Sequence, residues 1–416
     1  MSFQLTLLAK YPSDRVKSVH FQNDLFVNCL YNGHVNVYQY ENNKLILSEK
    51  MSELPLRAVY WVTMTGKDNY SLVCGGDDLC LHLLNIHTKT KKSIKNVHSD
   101  YIRAIIANNE VIISCSDDLT IAFTSLTTLE KICSINAHQH YVMMVQFINS
   151  EIFMSCSLDK QIKVWNIKLG LKSNNTPLFT LDGHAKGVNC ISAPLEKPFI
   201  LSGSDDHLIK LWDTTTKHCL ATLSGHTNNV SFAHFHPKLP LVISGSEDGT
   251  IKVWHSNTHK LLNSYNFGME RIWCCDVKEN HLVVGCDDGT LVLQLGNIIP
   301  LTSFSDAKLL YNTHFDIFQI QLNDVAITNK SQPFQLHVSP KELGTCEVYP
   351  AMIQHSPNGR FCCVIGENQY IIYTSLAWRN KAFGPADLFA WSSTNECAVF
   401  TPSGTLNSFR WCLFSR

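Results

Sequence analysis

Charged residues recur at two matching places in a repeated pattern, and their types could bind a ligand that carries both signs of charge. The first place, directly before a turn aspartate or its equivalent, holds Tyr31, Asp77, Asp117, Leu158, Asp205, Glu247 and Asp287. The second place, directly before an apolar run, holds Arg15, Arg57, Tyr101, Tyr141, Gly187, Asn229 and Arg271. Carboxylates bind ammonium groups, whereas the planar donors of arginine bind carboxylates.

A Ser/His/Asp combination, which could indicate a hydrolase, also occurs in the repeated pattern. The combination His184, Ser202 and Asp206 is accompanied by Trp212, and the same residue types recur in neighbouring units. Because no single nucleophile is distinguished, we interpret these four residues as a buried hydrogen-bonded set. The chain has no phosphate loop and no nucleophile elbow, so an enzyme is not predicted.

The elements that position these residues are repeats of four short strands. In the three clearest units a histidine precedes the tryptophans Trp165, Trp212 and Trp254 by 27 or 28 residues, and successive histidines lie 46 and 42 residues apart. That period is typical of propeller blades. Alternating apolar and polar residues, separated by aspartate-rich turns, predict the strands. Four weaker copies bring the number of units to seven, and one of them carries IAFTSL (121–126) in place of a tryptophan-containing strand.

The two ends of the repeat array predict how the ring closes. The segment LTLLAKY (5–11) precedes the first unit, and the seventh unit stops at its third strand near Leu295. An N-terminal strand that completes the last blade would leave no free sheet edge. We therefore predict an all-β chain, with a seven-bladed WD-repeat propeller over residues 1–298 and a partial, truncated second propeller over 299–416.

Composition excludes several classes of function. Hydrophobic residues make up 45% of the 416 residues, and 34 basic against 35 acidic residues leave a net charge of -1. The chain can therefore form a core, but it lacks the broad positive field of a nucleic-acid binder. No apolar run of about 18 residues is present, and the N-terminal apolar stretch is too short for a signal peptide. We predict a soluble cytoplasmic protein.

The 16 cysteines and 19 histidines do not predict a metal or another cofactor. The cysteines are scattered, without a CxxC motif, and the histidines recur by blade position. Zinc sites need closely spaced ligand pairs, and disulfide scaffolds are short secreted chains. Reduced thiols and cofactor-free blades are expected.

Ring closure would divide the charged residues into sectors. Three of the arginines belong to blades 7, 1 and 2, which become neighbours, and Lys17 follows Arg15 by two residues. Acidic residues extend from blade 2 to blade 6, with Asp100 beside Asp117 in blade 3. The pattern predicts a ligand with one anion and one or two cations at a fixed separation. The alternative is that these are solvated loop charges that only pair with one another.

Several phrases resemble the coatomer beta-prime family over nearly the whole chain. They are SDRVKSV (13–19), LYNG (30–33), LPLRA (54–58), HSDYIR (98–103), GHAKGVNCI (183–191), HPKLPLVISGSEDGTIKVWHS (236–256), FGMERIWC (267–274), CEVYPAMIQHSPNGRF (346–361) and YIIYTSLAWRNKAFG (370–384). The last two lie outside the repeats and are not general WD-repeat sequence.

The resemblance implies a vesicle-coat subunit that reads dilysine retrieval signals on the cytosolic tails of membrane proteins, in Golgi-to-ER and intra-Golgi transport. The family's lysine-binding positions match Asp100, Asp117 and Asp205. Its positions around the terminal carboxylate match Arg15, Lys17, Tyr31, Arg57 and Arg271. Expected partners are these tails, the Golgi membrane through the coat and, if the family's C-terminal part exists in the protein, the alpha and epsilon coatomer subunits.

The C-terminal part resembles only the opening of the family's second propeller, over residues 305–416. The family's long helical part, which holds neighbouring subunits, has no counterpart in this sequence. The sequence is therefore expected to be either a fragment or a reduced protein. A generic WD-repeat scaffold in another cytosolic complex is the alternative function.

Overall fold

The computed structural model describes most of the chain. The described residues are 5–40, 42, 44–62, 71–173, 175–194, 197–295, 301–305, 308–313, 315–321, 340–366, 368–393, 396–401 and 404–410. The chain divides into two compact units after residue 296.

The first unit is built from strands. These are β1 (Leu5–Pro12), β2 (Val16–Gln22), β3 (Leu25–Leu30), β4 (His34–Gln39), β5 (Lys44–Lys50), β6 (Leu56–Trp61), β7 (Leu72–Gly76), β8 (Leu81–Leu84), β9 (Lys91–Ile94), β10 (Ile102–Ala107), β11 (Val111–Ser116), β12 (Thr120–Ser125), β13 (Lys131–Asn136), β14 (Val142–Phe147), β15 (Ile152–Ser157), β16 (Ile162–Asn166), β17 (Phe179–Leu181), β18 (Val188–Ser192), β19 (Phe199–Ser204), β20 (Leu208–Asp213), β21 (Cys219–Ser224), β22 (Val230–Phe235), β23 (Leu241–Ser246), β24 (Thr250–His255), β25 (Leu261–Asn266), β26 (Ile272–Lys278), β27 (His281–Cys286) and β28 (Gly289–Leu295). One short helix, α1 (Ile167–Gly170), follows β16.

Within the described residues, the strands form seven four-stranded antiparallel sheets, which are the blades. Blades 1 to 6 run in chain order from β2–β5 to β22–β25, and blade 7 contains β26, β27, β28 and β1. The inner strands β2, β6, β10, β14, β18, β22 and β26 each pack against the next, and β26 packs against β2. The blades therefore surround one axis, and the predicted all-β WD-repeat propeller is confirmed.

Blade 7 joins the two ends of the unit. Strand β1 pairs with β28 over the register Leu5↔Leu295 to Pro12↔Gly289. Gly289 has a φ of 131°, and a Cβ atom there would lie 2.1 Å from the carbonyl oxygen of Tyr11. Close approach of the closing strand therefore requires glycine at this position.

Buried hydrogen bonds tie the loops of three blades to their strands. In blade 5, His184 Nδ1 lies 2.9 Å from Asp206, and its Nε2 lies 2.7 Å from the Ser202 hydroxyl, to which Trp212 donates at 2.8 Å. The equivalent sets are His138, Asp159, Ser155 and Trp165 in blade 4 and His226, Asp248, Ser244 and Trp254 in blade 6. Burial lowers the pKa of His184, so the imidazole stays neutral. The predicted structural role of this set is confirmed.

Blade 3 keeps only part of this set, as the IAFTSL segment predicts. His98 contacts Asp118 and Ser114, each at 2.9 Å. Thr124 occupies the tryptophan position, since it pairs with Ile112 as Trp212 pairs with Ile200. Within the described part of the chain, the Thr124 hydroxyl is buried without a hydrogen-bond partner.

The second unit contains further sheets. Its strands are β29 (Thr302–Ser305), β30 (Lys308–Thr313), β31 (Asp316–Gln321), β32 (Lys341–Thr345), β33 (Met352–His355), β34 (Phe361–Gly366), β35 (Gln369–Thr374), β36 (Asn380–Pro385), β37 (Leu388–Trp391), β38 (Glu396–Phe400) and β39 (Leu406–Arg410). Two four-stranded sheets are followed by the three-stranded sheet β37–β39. Ile317, Ile353 and Val364 belong to one buried cluster, and Tyr373 stacks on Trp378 with ring centres 4.5 Å apart. The described helices include none long and apolar enough to cross a lipid bilayer.

Replacing Thr124 with valine should stabilise the first unit. The substitution keeps the shape of the side chain and removes a buried hydroxyl without a partner, so the free energy of unfolding should rise by about 1 kcal/mol. Urea denaturation measures this change. The matched control is Thr250→Val in blade 6, where the hydroxyl donates to Asp248 at 2.6 Å. That variant should lose stability, and equal effects of both substitutions would contradict the prediction.

Candidate functional site

The second residue of each inner strand faces the propeller axis. These residues, which we call the inner ring, are Lys17, Arg57, Arg103, Met143, Asn189, Ser231 and Trp273. They line a cavity of about 520 Å³ that residues of all seven inner strands enclose. We call the inner-ring end of this cavity the mouth. Its cations come from blades 1 to 3, whereas blades 4 to 6 contribute uncharged side chains.

One backbone hydrogen bond brings the two predicted positions of each blade together. The amide of the residue after the second strand donates to the carbonyl of the residue before the inner strand. Tyr31 bonds to Arg15 at 2.9 Å, and Asp205 bonds to Gly187 at 2.9 Å. The pattern recurs in the other blades. Both sequence positions therefore lie at the same end of the propeller.

Blade 2 departs from the sequence alignment. The acceptor for the Asp77 amide is Pro55, so Pro55 holds the place that we assigned to Arg57. Arg57 lies two residues further along, inside the strand, and belongs to the inner ring. The alignment was wrong here because it matched residue type and ignored the offset from the strand start. The correction moves Arg57 closer to the axis.

Each arginine of blades 1 to 3 at the mouth is paired with an aspartate. Arg103 binds Asp117 through two hydrogen bonds of 2.7 and 2.5 Å. Arg57 likewise binds Asp77 through both carboxylate oxygens. Arg15 of blade 1 reaches Asp287 of blade 7 at 2.5 Å. These pairs fix the guanidinium groups and neutralise much of their charge.

Aromatic rings separate the cations. The Arg15 guanidinium lies 5.3 Å from the ring centre of Tyr31 and 5.5 Å from that of Trp273. Arg57 lies between Tyr31 at 5.8 Å and Tyr101 at 5.2 Å. Cations are attracted to aromatic faces, so the rings offset part of the repulsion between neighbouring positive charges. The alternating series spans blades 7, 1, 2 and 3.

Lys17 differs from the arginines around it. Its ammonium lies 2.9 Å from the ring centre of Trp273. Among the described residues it has neither a hydrogen-bond acceptor nor an ion-pair partner. Burial, together with the charges of Arg15 and Arg57, lowers the pKa of Lys17 to about 7. The mouth thus holds a cation without a counter-charge.

The remaining predicted residues are spread around the ring. Arg271 is exposed, and in the described part of the chain its side chain has no hydrogen bond or ion pair. Asp100 accepts the Tyr101 amide at 2.8 Å, and Asp205 accepts the Asn189 amide group at 2.7 Å. Neither carboxylate is paired with an arginine. The structure therefore clusters Arg15, Lys17, Tyr31 and Arg57, gives the Arg271 side chain no contact with that cluster among the described residues, and keeps Asp100 and Asp205 two blades apart.

Sequence reasoning missed Arg103 and Trp273. Arg103 forms an ion pair with Asp117. Asp117 is 5% exposed and was predicted to bind a lysine of the ligand. Trp273 supports Lys17 and donates to Asp287 at 2.8 Å. Both residues stand at the same offset as Lys17 in their own blades, and a comparison of that single column would have found them.

Family models of propeller sequences match parts of both units. The family model described as the COPA/B second beta-propeller matches residues 314–412. The model of the WD domain, G-beta repeat, matches residues 129–166, 175–213 and 217–255. The WD40 beta propeller domain of Doa1 has the same fold, with a TM-score of 0.60 and 21% identity over 71% of this chain and 98% of that one.

Curated relatives resemble the chain over most of its length. The coatomer subunit beta' of Rattus norvegicus is 39% identical over 412 residues, which is 96% of this chain and 44% of the rat protein. The coatomer subunit beta'-1 of Arabidopsis thaliana is 40% identical over 279 residues, 65% of this chain and 30% of that protein. The chain therefore spans less than half the length of these relatives.

Breaking the pair in blade 3 should destabilise the propeller. Arg103→Met leaves the buried Asp117 carboxylate without its partner, so the free energy of unfolding should fall by about 3 kcal/mol. Urea denaturation at pH 7 measures the loss. Adding Asp117→Asn to this variant removes the buried charge and should recover most of the stability. A stable single variant would show instead that solvent compensates Asp117.

Proposed function

This chain belongs to the coatomer beta-prime family, and from that premise we propose that it is a non-enzymatic coat subunit whose first propeller recognises C-terminal dilysine signals. The observation that carries the proposal is that Lys17 has no carboxylate partner among the described residues, whereas the neighbouring Arg15 and Arg57 are each paired with an aspartate. A tail with a terminal carboxylate and two lysines supplies the anion that this cation lacks. It also supplies cations for carboxylates further around the ring.

The carboxylate end of the tail is proposed to bind at blades 7, 1 and 2. Lys17 provides the free ammonium, and Arg15 and Arg57 keep donors beyond those used by their aspartates. Tyr31 lies between the two arginines and offers a hydroxyl. Arg271 is exposed. In this proposal its positive charge attracts the carboxylate of the tail from outside the mouth.

The two lysines are proposed to bind at blades 3 and 5. Asp100 and Asp205 accept only neutral donors, so each keeps its charge for an incoming ammonium. Asp117 is already bound by Arg103 and would contribute as a shared acceptor. The separation between blade 1 and these two blades would then set where the lysines stand relative to the chain end.

The wider role follows from the family. We propose that the chain acts in Golgi-to-ER and intra-Golgi transport, in the cytoplasm and peripherally on Golgi membranes and coated vesicles. Its proposed partners are cargo tails and other coatomer subunits, among them alpha and epsilon. Coatomer subunits that co-purify with the chain from cytosol would support this part, and their absence would favour a scaffold in another complex.

A tail peptide with a free carboxylate should bind more tightly than the same peptide amidated at its C-terminus. An octapeptide ending in two lysines and two serines serves as the probe, and calorimetry at low salt measures its affinity. The amide should bind at least about tenfold more weakly, because a charge-assisted contact is lost. Added salt should weaken binding of the free acid.

Substitutions distinguish the effect of the lysine contacts on peptide binding from a general effect of the protein's charge. Asp100→Asn and Asp205→Asn should each weaken peptide binding, because each removes one carboxylate from the proposed lysine positions. Glu279→Gln is the matched control, since it removes one negative charge in the turn between β26 and β27, at the other end of the blade. Equal affinity for acid and amide, or equal effects of all three substitutions, would contradict the proposed recognition.

A further inference from the structure

Lys17 is the cation at the mouth whose charge a bound ligand would balance. Arg15 and Arg57 have aspartate partners, whereas the Lys17 ammonium rests on the face of Trp273. Lys17 lines the cavity together with Arg57 and Trp273. An anion that enters the mouth therefore meets one group whose charge no carboxylate of the described residues has compensated.

Two neighbouring cations favour the neutral form of Lys17, whereas Cys274 and Asp287 favour its ammonium form. Arg15 on its own blade and Arg57 on β6 carry the same charge. The Asp287 carboxylate already accepts Arg15 Nε and Trp273 Nε1. Burial raises the pKa of the thiols Cys29 on β3 and Cys274 on β26, so both are uncharged. None of these neighbouring groups fully compensates the positive charge of a Lys17 ammonium.

The direction of titration follows from these surroundings. Burial first, and then Arg15 and Arg57, lower the pKa of Lys17 to about 7 in the free protein. Lys17 is then mostly an ammonium at pH 6 and mostly a neutral amine at pH 8. A carboxylate placed against it favours the charged form and raises its pKa again. The two states of the site therefore bind different numbers of protons near neutral pH.

We propose that Lys17 takes up a proton when a peptide carboxylate enters the mouth, so that the propeller binds the anion and a proton together and releases both as the pH rises. The proton comes from the solvent and is held on Nζ. The proposal rests on the proposed function, because it concerns the carboxylate end of the same ligand. It adds that recognition weakens through the neutral pH range.

Trp273 is the positioning residue for this step. Its ring face holds Lys17 at 2.9 Å, and its Nε1 donates to Asp287 at 2.8 Å. An aromatic face stabilises the ammonium more than the amine. Trp273→Leu should therefore lower the pKa of Lys17 further and shift the loss of peptide binding to lower pH. Trp273→Phe keeps an aromatic face and should largely restore the original pH profile.

Calorimetry of the full chain with the free-acid octapeptide tests the coupling. Between pH 6 and pH 8 the affinity should fall about tenfold, the linkage expected for one proton. Titrations in buffers of different ionisation enthalpy should show uptake of close to one proton per peptide at pH 8. Lys17→Arg, which stays charged, should give a flat profile with no proton uptake. A wild-type profile as flat as that of Lys17→Arg would overturn the proposal.

A second measurement separates failure of this inference from failure of the proposed function. NMR of the full chain labelled at the lysine ε-carbons, with Lys17→Arg to assign the signal, gives the titration of Lys17 without any ligand. A midpoint near pH 7 supports the inference, and a midpoint above about pH 9.5, close to an ordinary lysine, overturns it. Peptide binding without proton uptake would refute the coupling alone. If Lys17 titrates near pH 7 but neither peptide form binds, the proposed function and the coupled carboxylate binding both fail.

Discussion

A single repeated backbone hydrogen bond determines where the charged side chains lie. In each blade it joins the residue after the second strand to the residue before the inner strand, as in Asp117 and Tyr101 at 3.0 Å. Because the inner strands share one axis, the seven bonds form a ring, and the side chains beside them surround the mouth. Residue types can then vary from blade to blade without moving the backbone, and this variation gives a symmetric scaffold an asymmetric charge pattern.

Much of the fold follows from local sequence, but the site follows only in part. The spacing of Trp165, Trp212 and Trp254 predicted the blades, since strand alternation and turns are local properties. The identity of ion-pair partners is not local: Arg15 and Asp287 come from opposite ends of the first unit. The roles of Arg103 and Trp273 depend on strand register, which one residue type per blade does not reveal. The misplacement of Arg57 in blade 2 has the same cause, because only the strand register shows that Pro55 holds the position assigned to it.

The three arginine–aspartate pairs change how the charged sectors should be understood. Sequence positions suggest a basic side facing an acidic side, whereas the structure places Asp77, Asp117 and Asp287 among the cations. Paired charges mainly fix geometry, since their fields largely cancel beyond short range. Under the proposed function, selectivity would depend on groups without an oppositely charged partner among the described residues, which include Lys17, Asp100 and Asp205. In that proposal, a small number of unpaired groups would set both the sign and the spacing of the ligand charges.

The pairing of β1 with β28 also bears on how the first unit is made on the ribosome. The strand Leu5–Pro12 emerges long before its partner Gly289–Leu295. At about 5–20 residues per second, the wait is on the order of tens of seconds. During that time its apolar residues Leu7 and Leu8, still 46% exposed in the finished fold, are open to other sheet edges. Until the seventh blade is complete, nascent chains of this propeller therefore carry an apolar strand whose partner has not yet been made.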